Sequence, residues 1–378
     1  MRFCKKFIAF ILLLFLSCGF THINAYAEGA SINNISANAA CLIDADSERI
    51  LYSKNAEKRL PMASTTKIMT AILALECGMA IDTVISIPNE AVGIEGSSMY
   101  LRNGEKITLE ALLYGLLLSS ANDAAVAIAI TVSGNVDNFV DLMNEKAQNL
   151  GLSNTHFTNP HGLYDKEHYT TALDLARLMA YCTQNELFLT ISGCNKRVFQ
   201  ADESLSRVMI NHNRLLRADI GVIAGKTGFT KISGRCLVTC AQNENLRLIA
   251  VTLNAPNDWQ DHTKLYKFGF ESYQRLTLDS VSLTLPVISG SKNEIILKSK
   301  QNSVLLPKSF SNITVIINAP KFVFGEITKN EQIGEVVYTA NGKIIAISPL
   351  VASESIERIK YKFNLFEWLI DLIKGFLN

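Results

Sequence analysis

No two cysteines in this 378-residue chain are spaced Cys-x-x-Cys, and no His-Glu-x-x-His pattern occurs. The ordinary sequence signs of a zinc centre are therefore missing. The Gly-x-Ser-x-Gly elbow of a Ser-His-Asp hydrolase is missing too. Charge of one sign is not in excess: Lys and Arg number 36 against 35 Asp and Glu, a net of +1. Such a balance argues against nucleic acid as a partner. There is no low-complexity tract and no repeat of fixed period. No apolar run reaches the roughly 20 residues that a membrane-spanning helix requires.

The longest apolar run, 7–16, follows Arg2, Lys5 and Lys6 and precedes Ala25-Tyr26-Ala27. A basic start, a short apolar middle and a small-x-small end are the pattern of a cleaved export signal. Residues 1–27 are therefore expected to leave the mature chain, which takes the net charge from +1 to −2 with the loss of three basic residues. Six cysteines remain: Cys41, Cys77, Cys182, Cys194, Cys236 and Cys240. The last two sit in a strand-like segment, about 13 Å apart by strand rise. That exceeds the roughly 7 Å a disulfide tolerates, so they cannot pair with each other.

Apolar spacing divides the rest into units. Segments 39–46 and 50–54 read as strands; 61–75, 109–118, 124–132, 136–150 and 171–183 read as helices, the last capped by Thr170 or Thr171. Alternation returns at 220–227, 234–241 and 246–254, and a helix follows at 259–274. Two strands, a helical insert and three strands predict an α+β fold, one antiparallel five-stranded sheet packed against helices. Residues 28–274 form this first unit and 275–357 a smaller β-rich one, in which Ala340-Asn341-Gly342 signals a type I′ hairpin. In 358–378 the polar residues Lys360, Asn364, Glu367, Asp371, Lys374 and Asn378 form one narrow helical stripe. All else there is bulky and apolar. Such a helix can pack on the β unit, but the wide apolar face, Trp368 and the lysines favour one lying in a membrane interface.

Chemistry enters with Ser64-Thr65-Thr66-Lys67 at a helix start. Residues three apart on a helix share a face, so the Lys67 amine can reach the Ser64 hydroxyl. A serine hydroxyl attacks only when something takes its proton, and lysine can do so only with a depressed pKa. The same spacing at Ser289 and Lys292 lies in a Gly/Ser turn and is read as a decoy. Of several Ser-x-Asn triplets, only Ser120-Ala121-Asn122 interrupts a helical region. Lys226-Thr227-Gly228 occurs once, and it is not the end of a phosphate-binding loop: position 220 is Ile, and Gly221 leaves the loop one residue short.

Taken in that order, the three motifs resemble those of the penicillin-binding protein and β-lactamase superfamily. The segment 155–163 (THFTNPHGL) is similar to a further signature of its D-alanyl-D-alanine carboxypeptidase branch, the low-molecular-mass penicillin-binding proteins. The resemblance covers about 30–274, and the β unit and amphipathic end resemble that branch as well. It implies a Ser64 acyl-enzyme, Lys67 as general base and Ser120 as proton relay to the leaving D-alanine. It implies that Asn122 holds the substrate amide and positions Lys67, and that Lys226 and Thr227 bind the terminal carboxylate. Gly228 and Phe229 would line the strand side, with the N–H groups of Ser64 and Phe229 as the oxyanion hole. Phe229 departs from members with a polar residue there. The implied partners are peptidoglycan stem peptides, β-lactams as inhibitors, and the outer face of the cytoplasmic membrane. No cofactor or metal is needed, and His156, His161 and His168 are read as structural. A class A β-lactamase is the main rival, but no Glu-x-x-Leu-Asn follows Asn122 to supply its deacylating glutamate. A transpeptidase fits the trailing β unit less well, and a non-catalytic wall-binding protein would be expected to have lost the serine or a lysine.

Overall fold

The computed structural model describes residues 32, 34–200, 206–359, 370 and 374. The expected leader at 1–27 lies outside these residues, as does the terminal segment apart from 358, 359, 370 and 374.

Strands β1 (Ala39–Asp44) and β2 (Ile50–Lys54) open the chain. The insert then runs through α1 (Lys67–Glu76), strands β3 (Val84–Ser86) and β4 (Lys106–Thr108), and helices α2 (Leu109–Leu117), α3 (Asn122–Ser133), α4 (Val136–Asn149), α5 (Ala172–Cys182) and α6 (Glu186–Gly193). It ends in strands β5 (Lys196–Gln200) and β6 (Ser206–Ile210). The insert is thus not wholly helical: β3–β4 and β5–β6 are antiparallel pairs. Strands of three to five residues carry too few alternations to declare a period. Thr171 caps α5 as expected, its hydroxyl accepting from the Asp174 N–H at 3.0 Å.

Strands β7 (Val222–Thr230), β8 (Gly234–Asn243) and β9 (Leu246–Leu253) return to the first two, and α7 (Asp258–Ser272) closes the unit. The sheet order is β2-β1-β9-β8-β7, antiparallel throughout. Along β8, Cys236, Val238 and Cys240 enter the core beneath the helical insert, while Leu237 and Ala241 enter a second core against α7. Both faces are covered. That is why the central strands read as unbroken apolar runs. The six described cysteines are unpaired; four are fully buried and two partly so.

Beyond α7, β10 (Tyr273–Leu278) pairs with β13 (Asn302–Pro307). Between and after them come β11 (Ser282–Ile288), β12 (Glu294–Lys298), β14 (Thr314–Asn318), β15 (Val323–Phe324), β16 (Gln332–Ala340) and β17 (Lys343–Ala352). These six form a sheet of order β14-β16-β17-β12-β11-β15 over a core that includes Ile295, Leu297, Val336 and Leu350. The β16–β17 turn has φ of 50° at Asn341 and 73° at Gly342, the two left-handed residues a type I′ turn demands. Ties between this unit and the first include Arg275 Nη2 donating to the buried Asp44 carboxylate at 2.6 Å, Arg49 Nη1 to the Leu305 carbonyl at 3.0 Å and the Lys308 N–H to the Ser272 carbonyl at 2.8 Å.

Candidate active site

Ser64 lies in a 3-10 turn, Ala63–Thr66, that leads into α1. The α-helix itself begins at Lys67, not at Pro61, because Ala63 sits at φ 48° and breaks the helical path. The turn is held from two sides. A side chain at Gly162 would place its first carbon 2.0 Å from the Ala63 carbonyl oxygen, and one at Gly228 would stand 3.0 Å from the Ser64 nitrogen. At Gly162, which also has φ 89°, only glycine fits; at Gly228 a side chain would be tight against the turn.

The Lys67 side chain is fully buried, and its Nζ meets three oxygens: Ser64 Oγ at 2.9 Å, Asn122 Oδ1 at 2.7 Å and the His161 carbonyl at 2.6 Å. An amine with one lone pair and two N–H groups can satisfy the same set, donating to the amide and the carbonyl while accepting from the serine. Burial drives the Lys67 pKa well below its ordinary value; the Lys226 charge pushes the same way, and Asp123 opposes them. Lys226 is 2% exposed, its Nζ donates to the Thr227 carbonyl at 2.8 Å, and burial brings its pKa to about 7.

Asn122 is the first residue of α3, so the helix resumes two residues earlier than its apolar pattern suggests. Its backbone N–H donates to the Ser97 carbonyl at 2.7 Å and its Nδ2 to the Glu95 carbonyl at 2.5 Å. The neighbouring Asp123 carboxylate, 1% exposed, accepts from the N–H groups of Met99 and Leu101 and from Ser98 Oγ. The loop carrying Ser97 is thereby tied to the helix start. Ser120 stands at φ 61°, a conformation that costs a non-glycine residue of order 1–3 kcal/mol and persists where the surroundings impose it.

Ser64, Ser120, Thr227, Gly228 and Phe229 line one cleft of about 520 Å³. Lys67, Asn122 and Lys226 lie buried, one layer beneath its surface. All eight residues singled out in the sequence therefore gather at one place. Phe229, 64% exposed, projects at the edge of β7. Among the described residues that strand is at the sheet edge and pairs with β8 on one side, so its other row of backbone groups is left for the cleft. The Ser289–Lys292 decoy is elsewhere, its lysine paired with Glu354.

Sequence reasoning missed several participants. The His161 carbonyl, the third partner of Lys67, belongs to the 155–163 segment, but its role is played by a backbone atom that any residue carries. The His168 imidazole bonds within the protein. His168 Nδ1 accepts from the Thr158 N–H at 3.0 Å, which leaves Nε2 to donate to Thr66 Oγ1 at 2.7 Å; burial keeps the ring neutral, its pKa near 4. Arg235, across the β7–β8 register from Phe229, also lines the cleft. Its Nε donates to Asp258 Oδ1 at 2.9 Å and its guanidinium lies over Trp259, 5.3 Å from the ring centre. The β7–β8 register is the signal that would have found it.

Comparison with known proteins agrees with this geometry. Residues 26–257 match the D-alanyl-D-alanine carboxypeptidase family, and 270–358 match the penicillin-binding protein 5 C-terminal domain. The chain is 31% identical over 335 residues to D-alanyl-D-alanine carboxypeptidase DacF of Bacillus subtilis, covering 85% of this chain and 86% of that one. Penicillin-binding protein 5 of Haemophilus influenzae superposes with a TM-score of 0.75 at 30% identity, over 87% of this chain and all of that one. The Streptomyces K15 DD-transpeptidase superposes at 0.60 and 30% identity, over 64% of this chain and 99% of its own. A nucleophile turn, two buried lysines and a trailing β unit thus occur here in a chain that belongs to the D-alanyl-D-alanine carboxypeptidase family, serine peptidases of the low-molecular-mass penicillin-binding group.

Proposed function

We propose that this peptidase removes the terminal D-alanine from peptidoglycan stem pentapeptides through an acyl-enzyme on Ser64, and that penicillin blocks it by acylating the same oxygen. The observation that carries this reading is the contact of Ser64 Oγ with a buried Lys67 amine whose pKa is depressed.

Neutral Lys67 accepts the Ser64 proton as Oγ attacks the carbonyl of the penultimate D-alanine. The oxyanion forms against the N–H groups of Ser64 and Phe229. As the C–N bond breaks, Ser120 passes its proton to the departing amine and takes the one held by Lys67, which ends the half-reaction neutral again. Water then attacks the ester and gives a proton to Lys67; as the bond from the acyl carbon to Oγ breaks, Lys67 returns that proton to Ser64 and the shortened peptide leaves. Thr227 and the Lys226 charge hold the substrate's terminal carboxylate. Arg235 adds to them: with Nε engaged by Asp258, its terminal nitrogens are directed along a wall shared with Thr227. The bound carboxylate draws the Lys226 pKa back up and so keeps it charged.

The site works outside the cell. Residues 1–27 direct export, and the terminal helix holds the mature protein on the outer face of the cytoplasmic membrane. No single helix among the described residues is long and apolar enough to cross a membrane.

Labelled penicillin is expected to form a covalent adduct with the wild type and none with Ser64→Ala. D-alanine release from a peptide ending in D-Ala-D-Ala is expected to exceed β-lactam hydrolysis. A wild-type protein that forms no adduct removes the acyl-enzyme reading.

A further inference from the structure

At one end of the β domain, four large apolar side chains stand in solvent close together. Phe324 is 65% exposed and Phe322 46%, their rings 5.6 Å apart and edge to face. Phe324 pairs in register with Ile288, itself 42% exposed, on the neighbouring strand β11. Ile359, 43% exposed, donates its N–H to the carbonyl of Ser289, the next residue. Monomeric proteins rarely leave such a patch open without use.

The patch is built rigidly. The Gly325 N–H donates to the Ile288 carbonyl at 2.8 Å, and a side chain on Gly325 would strike the Ser289 carbonyl at 2.4 Å. Gly290 packs as tightly on Val287 and Ile356, and it bridges to Arg358. The phenylalanines are therefore held outward by backbone ties beneath them. A flexible loop would fold such rings inward.

What covers the patch is indicated by where the chain goes next. Ile359 is the last residue before 360–378, the segment whose sequence places a wide apolar face around one polar stripe. Within that segment Ile370 is 41% exposed. The charged groups around the patch are mixed: Lys321 and Arg358 are exposed beside it, with Lys360 and Lys362 following in sequence, against Glu326 and Glu357. Exposed aromatic and aliphatic tips with lysine and arginine among the charges beside them suit the boundary between lipid headgroups and acyl chains.

We propose that Phe322, Phe324, Ile288 and Ile359 form a second membrane contact, inserting into the lipid surface beside the terminal segment and fixing the β domain against it. This rests on the surface-anchoring reading above. Two apolar attachments at one end define an orientation, whereas a tail alone leaves the domain free to swivel about Ile359.

The test is co-sedimentation of the mature chain with vesicles of phosphatidylethanolamine and phosphatidylglycerol. Phe322→Ser with Phe324→Ser is expected to weaken binding about tenfold or more, from the apolar area no longer buried. D-alanine release in solution and the unfolding midpoint should stay at wild-type values, which establishes that the variant is folded. Phe324→Trp alone should keep binding. Ile316→Ser, on the equally exposed strand β14, should change it little. Full binding by the double serine variant overturns the inference, as does an equal loss with Ile316→Ser. Failure of the wild type to bind overturns the anchoring reading itself, a result distinct from either.

Discussion

The two units of this chain use their interiors in opposite ways. Beneath the five-stranded sheet and its helices lie Lys67, Lys226, Asn122, Asp123, Asp174, His168 and His262, all buried. Among the described residues of the β domain, buried polar side chains reduce to Ser299 and Ser348. Left-handed non-glycine backbone occurs in both units, but in the first it falls within the site, at Ala63 and Ser120. A domain that holds a peptidase site keeps charges and donors out of water, where each costs stability unless it is paired. The β domain carries none of the site residues and is apolar inside.

The largest effect that sharpens this contrast should come from Lys67→Ala. Steady-state D-alanine release is expected to fall by about 10³-fold or more, with penicillin acylation slowed in parallel. A modest loss would mean that the buried amine is not the base. Next is Arg275→Met at the junction, which leaves the Asp44 carboxylate buried without its partner and should cost about 3–5 kcal/mol in urea denaturation. If a single transition splits into two, the units are separately stable; if it merely moves, they unfold together.

Lys226→Met gives a pH signature. Between about 7 and the ordinary 10.5, the unfolded chain holds a proton on Lys226 that the folded chain has released. Stability from this group therefore rises with pH through that window. The methionine variant should be more stable than wild type by about 1–4 kcal/mol at pH 6 and about equal at pH 10, while losing activity at both. An unchanged pH slope would show that Lys226 is not forced toward neutrality. The smallest effect belongs to the β domain: Tyr338→Phe removes a hydroxyl bond to the Asp279 carbonyl, 2.8 Å in length, and should cost about 1 kcal/mol with kcat/KM unaltered.

The part of the site legible in sequence was the part made by side chains at short spacing. Ser64 and Lys67 are one helical turn apart, and Lys226, Thr227 and Gly228 are consecutive. What stayed hidden was assembled across distance or from main chain. The carbonyls of Glu95, Ser97 and His161 leave no trace in residue identity, and Arg235 reaches the cleft only through the register of β7 with β8. In the fold, long elements with clear periods appeared near their expected ends. Helix α6 was missed because its eight residues (ELFLTISG) are too few to establish a face. Strands β10 and β13 were missed for a related reason: they pair with each other across the junction and show no sustained alternation in burial.

The glycines at 162 and 228 let two segments press against the turn that carries Ser64. The cleft that stays open beside that serine is lined by Phe229 and Trp259. Bulk added along that cleft would select among substrates without touching the reactive groups, whereas a methyl group at Gly162 would collide with the Ala63 carbonyl and displace the turn itself. Specificity in this enzyme can drift; the seat of the serine cannot.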